Sequence, residues 1–168
     1  WVWKAALWGA MGGQASESGD DAYAPSAPLG VGGGVTLRSK STGRDRVILD
    51  TTKNNDRPLC FDPPAAWIES ITCRGACGSQ IEGSDILVMA GVISNCVFRD
   101  SAQAAGGYGK SRVTGDGANA YFTHCVISNN NSKFTGNLAA KGIWLKNGAK
   151  AVNCLIFKNV DKTSTAEK

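Results

Sequence analysis

The feature that most constrains this chain is a four-residue pattern that recurs at a fixed interval. The pattern is a polar residue, a cysteine and two apolar residues, at residues 95–98, 124–127 and 153–156. Its cysteines lie 29 residues apart both times. A fixed period of this size is the signature of a stacked repeat architecture. The sequence therefore predicts a fold built from successive, similar units.

The repeat unit has the periodicity of a β-strand. Cys96 and Phe98 alternate with other residues at period 2 and face the same way, as do their equivalents in the later units. No segment near the repeats shows helical periodicity, and Gly and Asn at short intervals indicate tight turns. Residues 86–89 and 143–145 are the expected second strands. Stacking such units predicts a parallel β-helix, with equivalent strands about 4.8 Å apart.

A fourth unit precedes the three regular ones. It spans residues 68–75 and fits the pattern if Ile71 and Cys73 take the places of Cys96 and Phe98. Alternating apolar residues predict more strands further upstream. These predicted strands are residues 1–4, 35–38 and 47–50.

Several of these segments together resemble a known family. The chain is similar to the opening coils of bacterial right-handed parallel β-helix proteins, which share the pectate-lyase-like superfold. The Asn-Cys repeats followed by Gly106 and Gly107 also resemble polymorphic outer-membrane adhesin repeats. The resemblance implies an all-β, right-handed parallel β-helix and a place outside the cell or on a bacterial cell surface. The segments that carry it are residues 34–39, 46–50, 68–72 and 94–98.

The length fits one domain over residues 1–168, with about six coils if each takes 25 to 29 residues. Residues 9–34 are rich in Gly, Ser, Ala, Asp and Pro and predict a long loop. Residues 161–168 predict a polar tail. Neither end shows a capping unit, which solenoids need for solubility. We therefore expect the chain to be part of a longer protein or to have its ends covered by other chains.

Charge and hydropathy exclude some classes of partner. The net charge of +4 is mild, and basic residues are not interleaved with aromatic ones, so we expect no nucleic-acid partner. No apolar run reaches the 18 residues of a transmembrane helix. The expected partners are glycans or other proteins, with end-to-end self-association as a further expectation.

The six cysteines divide into two groups. Cys96, Cys125 and Cys154 are expected as buried free thiols, because equivalent side chains on stacked coils point in parallel rather than toward each other. Cys60, Cys73 and Cys77 break this regularity, and a Cys60–Cys77 disulfide is compatible with an exported protein. The spacings do not provide four zinc ligands in two close pairs. We therefore predict no metal site and no cofactor.

Four residues are candidate ligand-binding residues. Arg74 and Arg99 are expected to stack on adjacent coils, where two guanidinium groups can share an acidic glycan. Tyr108 is an aromatic residue in a turn segment, and His124 is the single histidine. For Arg74 and Arg99 the competing interpretation is solvated surface arginine. No coil face carries a cluster of carboxylates, so no catalytic residue is predicted.

Two further groups have structural interpretations. Ser101, Asn130 and Asn159 align at a turn, where they predict a ladder of side-chain hydrogen bonds. Trp144 alternates with Ile143 and Leu145, so it is either a packing residue or an exposed aromatic that stacks on a sugar.

These observations favour a non-catalytic surface or secreted β-helix module, adhesin-like or structural, that presents loops to glycans or partner proteins. One alternative is a polysaccharide lyase or glycoside hydrolase that acts on acidic glycans. Another is a structural subunit that assembles end to end. The superfold itself does not decide among them, because function is carried by sites and not by folds.

Overall fold

The computed structural model describes residues 22–23, 29–31, 36–38, 48–50, 59–61, 67–75, 85–101, 111–132 and 140–161. Over these ranges the chain forms strands, turns and bends, and no helix. The strands are β1 (Ala22–Tyr23), β2 (Leu29–Val31), β3 (Thr36–Arg38), β4 (Ile48–Asp50), β5 (Leu59–Phe61), β6 (Trp67–Glu69), β7 (Thr72–Arg74), β8 (Ile86–Val88), β9 (Gly91–Ser94), β10 (Val97–Arg99), β11 (Ser111–Asp116), β12 (Ala120–Thr123), β13 (Val126–Ser128), β14 (Asn131–Ser132), β15 (Ala140–Lys146), β16 (Lys150–Val152), β17 (Leu155–Phe157) and β18 (Val160–Asp161).

These strands form three large parallel sheets and one small one. The first sheet has the order β1-β4-β7-β10-β13-β17, the second β15-β11-β8-β5-β2 and the third β16-β12-β9-β6-β3, while β14 pairs with β18. The chain visits the first, second and third sheets in turn and then returns to the first. One such passage is termed a coil. This all-β, parallel arrangement is compatible with a parallel β-helix.

The strand register confirms the sequence repeat. Phe98 pairs with Ile127, and Ile127 pairs with Ile156, so the 29-residue period becomes the spacing between neighbouring strands of the first sheet. One coil earlier, Phe98 pairs with Cys73. The predicted fourth unit is therefore confirmed, because Cys73 takes the place of Phe98 in the preceding strand.

In the part of the chain that the structure describes, one apolar core runs between the three sheets. Phe98 and Ile127 from the first sheet, Val113 from the second and Phe122 from the third have no solvent exposure. Burying a side chain of this size contributes about 1.5–3 kcal/mol to folding. The core residues are Leu49, Ile68, Ile71, Cys73, Ile86, Val88, Ile93, Cys96, Phe98, Val113, Ala120, Phe122, Cys125 and Ile127.

One glycine makes room for an aromatic ring in this core. Gly115 pairs with Val88 in the second sheet and with Leu145 on its other side. A Cβ added to Gly115 would lie 2.8 Å from the Cε2 atom of Phe122 and 2.9 Å from the Cβ atom of Ala149. The absence of a side chain at this position lets the Phe122 ring fill the interior.

The three connections within a coil differ in length. In the later coils the third sheet leads to the first through two residues, as at 95–96 and 124–125, and the second sheet leads to the third through two or three. The connections from the first sheet to the second are residues 75–85, 100–110 and 129–139, and each contains eleven residues. The last includes β14. Because equivalent strands stack, these three long connections all leave from the same side of the sheets.

The N-terminal part differs from the sequence prediction. β1 and β2 lie inside residues 9–34, for which the composition predicts a loop, and they pair with β4 and β5. Two- and three-residue strands are too short to show alternation in sequence, so only their pairing reveals them. The predicted strand at residues 1–4 and the tail beyond Asp161 lie outside the described residues.

The last coil is more open than the repeat predicts. Ile156 is in register with the buried Ile127 but is 46% exposed, and Cys154 is half-buried where Cys96 and Cys125 are buried. The reason is positional. In the part of the chain that the structure describes, β17 is the end strand of the first sheet, so no strand covers its far side.

Candidate functional site

Arg74 and Arg99 lie side by side, as the sequence predicts. They pair directly across β7 and β10, at the end of the first sheet where the long connections begin. Arg74 is not simply solvated, because its Nε atom donates to Asp50 Oδ2 at 2.9 Å and its Nη2 atom lies 2.8 Å from the same oxygen. Arg99 has Nη1 3.7 Å from Asp100 Oδ2. The coil before Arg74 thus supplies a carboxylate that holds one of the two guanidinium groups.

His124 occupies a different corner, between the third and first sheets. It belongs to a column with Ser70, Asn95 and Asn153, and all four residues have φ between 52° and 58°. This left-handed conformation is unfavourable for most side chains but is adopted by Asn and His several-fold more often. A main-chain hydrogen bond links this corner to the next coil, because the amide nitrogen of His124 donates to Val152 O at 3.2 Å.

Two neutral groups of the described residues contact the imidazole ring. His124 Nδ1 lies 2.8 Å from Thr123 Oγ1, and Nε2 lies 3.4 Å from Asn153 Nδ2. The ring itself is exposed. A hydroxyl and an amide therefore position His124 within the corner column, and ligand binding by this residue stays a prediction.

Ser101, Asn130 and Asn159 form the predicted ladder, here named the asparagine ladder. Asn130 Oδ1 accepts a hydrogen bond from the Ser101 amide nitrogen at 3.1 Å, and Asn159 Oδ1 accepts one from the Asn130 amide nitrogen at the same distance. Their side-chain amides donate back to Phe98 O at 3.1 Å and Ile127 O at 2.8 Å. The prediction of a structural ladder is confirmed.

Asp85 extends this polar network and was missed by sequence reasoning. It lies immediately before β8, is fully buried, and accepts a hydrogen bond of 2.5 Å from the Ser101 hydroxyl. An aspartate before a short apolar strand gives no signal that distinguishes a buried anchor from a solvated turn. Ser101 is itself 1% exposed. A substrate cannot reach this Ser–Asp pair, so its role is structural.

A second mixed cluster lies on the outer side of the second sheet. Lys146 Nζ is 2.9 Å from Asp116 Oδ2 and 5.0 Å from the centre of the Trp144 ring. Asn147 donates to Asp116 Oδ1 at 2.6 Å. The hydrogen bond from Lys146, followed by that from Asn147, lowers the pKa of the Asp116 carboxyl group.

The register decides which way Trp144 points. Its neighbour Ile143 pairs with the buried Val113, so Ile143 faces the core and Trp144 faces outward. A place in the core is therefore excluded for Trp144. It is half-buried against Lys146 on the outer face.

Four cysteines of the described residues lie in the core or pack against it. Cys73, Cys96, Cys125 and Cys154 are all free, and the first three are buried. The hydrogen bond from Cys154 works to lower the pKa of Cys125, but the side-chain interaction with Cys96 and burial outweigh it and raise that pKa to about 12. The hydrogen bond with Cys125 and then burial raise the pKa of Cys154. Nucleophilic chemistry needs the thiolate form, which the surroundings of Cys125 and Cys154 disfavour.

The remaining predicted residues lie outside the described part of the chain. Tyr108 is within residues 102–110, the second long connection, and Cys77 is within residues 76–84. The predicted Cys60–Cys77 disulfide therefore stays a prediction. Among the described residues, no group of three or more His, Cys, Asp or Glu side chains is arranged to hold a metal ion. The same residues contain no helix that is long and apolar enough to cross a membrane.

Comparisons of the chain with protein-family models, curated proteins and solved structures gave no match. Inferences about its function therefore rest on its own residues.

Proposed function

We propose that this protein is a non-catalytic, adhesin-like module of an extracellular or bacterial cell-surface protein, which presents loops to glycans or partner proteins. Its fold is a right-handed parallel β-helix of about six coils. The six strands of the first sheet support that number. The handedness follows from the general rule that crossover connections between parallel strands are right-handed in about 98% of cases.

The observation that carries this proposal is the common origin of the long connections. Residues 75–85, 100–110 and 129–139 all connect the first sheet to the second, while the other corners of the same coils are two or three residues long. Because β7, β10 and β13 are neighbours in the first sheet, the three segments of eleven residues begin in one row, at Gly75, Asp100 and Asn129. Loops held in a row on a rigid solenoid form an extended surface for binding.

The chemistry of the described side chains supports binding over catalysis. Asp116 pairs with Lys146, Asp50 pairs with Arg74, and Asp85 is buried against Ser101. Hydrolysis of a glycosidic bond generally needs two carboxylates on either side of the bond. These three carboxylates instead lie in separate places, and each contacts a residue of a neighbouring coil.

The Arg74–Arg99 pair is the proposed contact for acidic glycans. The two guanidinium groups lie on adjacent strands, and both side chains are 37% exposed. Charge-assisted, bidentate hydrogen bonds from arginine suit carboxylate and sulfate groups. Binding through this pair should weaken with added salt, because exposed charges are screened.

A glycan array with the wild type and three variants tests the proposal. The wild type should bind, and a variant with residues 102–109 replaced by Gly and Ser at the same length should lose binding. An Arg74→Ala/Arg99→Ala double variant should lose only acidic glycans. The control Asn119→Ala, at an exposed tight corner, should bind like the wild type.

Two results would contradict the proposal. Unchanged binding by the loop variant would show that residues 102–109 are not part of the binding surface. Release of unsaturated sugar that absorbs ultraviolet light from a uronate polymer would show lyase activity and overturn the non-catalytic assignment.

A further inference from the structure

The outer face of the third sheet carries two aromatic side chains in one line. Trp67, Val92 and Tyr121 pair in register across β6, β9 and β12. Side chains alternate along a strand, and the residue after each of these three is fully buried, so the three face outward. Trp67 is 44% exposed, and Tyr121 is half-buried. This line of three side chains is named the aromatic row.

The aromatic row runs along the axis of the stacked coils with a defined spacing. Val92 lies between Trp67 and Tyr121, so the two aromatic residues are two strands apart. Neighbouring strands are about 4.8 Å apart, which places the backbones of these two residues about 10 Å apart. In an extended β-1,4-linked glycan every second sugar repeats the same orientation at close to this distance. Such a chain can therefore place one sugar on Trp67 and the next but one on Tyr121.

A row of polar side chains runs beside the aromatic row, two residues later in each strand. Its members Glu69, Ser94 and Thr123 also pair in register and are half-buried. Thr123 Oγ1 lies 2.8 Å from Nδ1 of the exposed His124, so the neighbouring corner extends this polar row. A sugar ring has apolar C–H faces and hydroxyl groups around its edge. The two rows therefore offer an aromatic surface to the ring and hydrogen-bonding groups to its edge.

The charges on this face favour an uncharged glycan. The described strands β6, β9 and β12 contain one charged residue, Glu69. A carboxylate repels uronic acids and sulfated sugars but accepts hydrogen bonds from hydroxyl groups. Lys150 pairs with Tyr121 on the next strand and bounds the aromatic row at that end. The ligand class therefore differs from the acidic glycans proposed for Arg74 and Arg99 on the first sheet.

We propose that the aromatic row and the polar row beside it bind an extended, uncharged β-1,4-linked glycan that lies along the axis of the coils. This site does not involve the long connections or the Arg74–Arg99 pair. Its binding should change little with added salt, because the ligand carries no charge to be screened.

Isothermal titration calorimetry with defined oligosaccharides tests the proposal. The probes are β-1,4-linked hexamers of glucose and of N-acetylglucosamine, and we expect at least one to bind. Shorter oligomers of the tighter-binding sugar then measure the length of the site. A dimer can contact only one of the two aromatic residues and a trimer can contact both, so affinity should rise at least about tenfold from dimer to trimer. Binding of neither hexamer, or an affinity that does not depend on length, would overturn the proposal.

Substitutions identify the face. Trp67→Ala and, separately, Tyr121→Ala should weaken hexamer binding at least about tenfold, because each removes one stacking surface. Tyr121→Phe keeps the ring and should keep most of the affinity. The gain from dimer to trimer should disappear in Tyr121→Ala. Trp144→Ala is the matched control, since Trp144 faces outward from the second sheet. Circular dichroism confirms that each variant is folded.

The arginine variant separates this site from the one proposed for acidic glycans. Arg74→Ala/Arg99→Ala should bind the uncharged hexamer like the wild type, and Trp67→Ala should leave the binding of acidic glycans unchanged. Hexamer binding that is weakened by the arginine substitutions, or weakened equally by Trp144→Ala and Trp67→Ala, would contradict a site on the third sheet.

Discussion

The side-chain amide of Asn130 donates a hydrogen bond to the carbonyl oxygen of Phe98, 3.1 Å away and 32 residues earlier in the chain. The same side chain accepts a hydrogen bond from the amide nitrogen of Ser101. One coil later, Asn159 makes the equivalent pair of bonds to Ile127 and Asn130. Buried polar networks of this kind fix register, because each member satisfies groups that would otherwise be buried without a partner.

Loss of one ladder residue should be costly. Asn130→Ala should lower the free energy of unfolding by about 2–4 kcal/mol, since it removes two hydrogen bonds and strands a buried N–H and C=O. Asn119→Ala, at an exposed turn, should change it by less than about 0.5 kcal/mol. Urea denaturation measures both, and equal stability of the two variants would contradict a structural role for the ladder.

The repeating part of this fold could be predicted from the sequence, because the repeat is a local pattern. Cys96 and Phe98 predict the inward residues of the first sheet, and the 29-residue interval predicts their partners Cys125 and Ile127. Even the irregular unit at Cys73 followed, since two apolar residues at period 2 were enough to align it. The ladder positions were predictable for the same reason.

The rest depends on contacts that sequence spacing does not encode. Asp85 joins the ladder because the chain passes through β8, β9 and β10 and returns to it at Ser101, 16 residues later. The residues next to Asp85 in sequence do not indicate that partner. The ion pair between Arg74 and Asp50 could not be predicted from the sequence either, because it depends on the pairing of β4 with β7. The exposure of Ile156 follows from the place of β17 at the end of its sheet, which a repeat pattern cannot show.

The positive φ of His124 can be tested separately from the chemistry of its imidazole ring. His124→Asn should fold normally, because Asn95 and Asn153 already occupy equivalent corners with φ of 52° and 54°. His124→Val should lower the melting temperature, since a β-branched residue is strongly disfavoured at positive φ. Differential scanning calorimetry compares the two variants. If both lower the melting temperature equally, backbone conformation is not what limits this position.

Cys125 and Cys154 occupy equivalent positions on successive coils but differ in burial. Cys125→Asp should be severely destabilising, because it places an unpaired charge among apolar side chains. Cys154→Asp should cost less, since Cys154 is half-buried on the last coil. Thermal unfolding monitored by circular dichroism gives the comparison. Equal melting temperatures for the two variants would contradict the stacking order of the coils.

The Asp116–Lys146 contact predicts a pH effect of defined sign. The pKa of Asp116 is lowered on folding, so its contribution to stability is present above the unfolded pKa of about 3.9 and is lost as pH falls through the folded value. Lys146→Met should raise the Asp116 pKa toward its ordinary value, while Lys150→Met should not. Carboxyl carbon chemical shifts, followed by NMR between pH 2 and 6, report the change. An unchanged Asp116 pKa in Lys146→Met would show that the lysine does not hold the carboxylate.

Scalar couplings across hydrogen bonds test most directly the central claim that the chain stacks in parallel coils. A long-range HNCO experiment should show couplings from the amide nitrogen of Val126 to the carbonyl carbon of Cys96, and from Leu155 to Cys125, because these pairs bond at 2.9 Å. The coupling from Val97 to Ile71 should appear as well, at the same distance. Couplings between residues paired in antiparallel hairpins, or none between these three pairs of residues, would contradict the account.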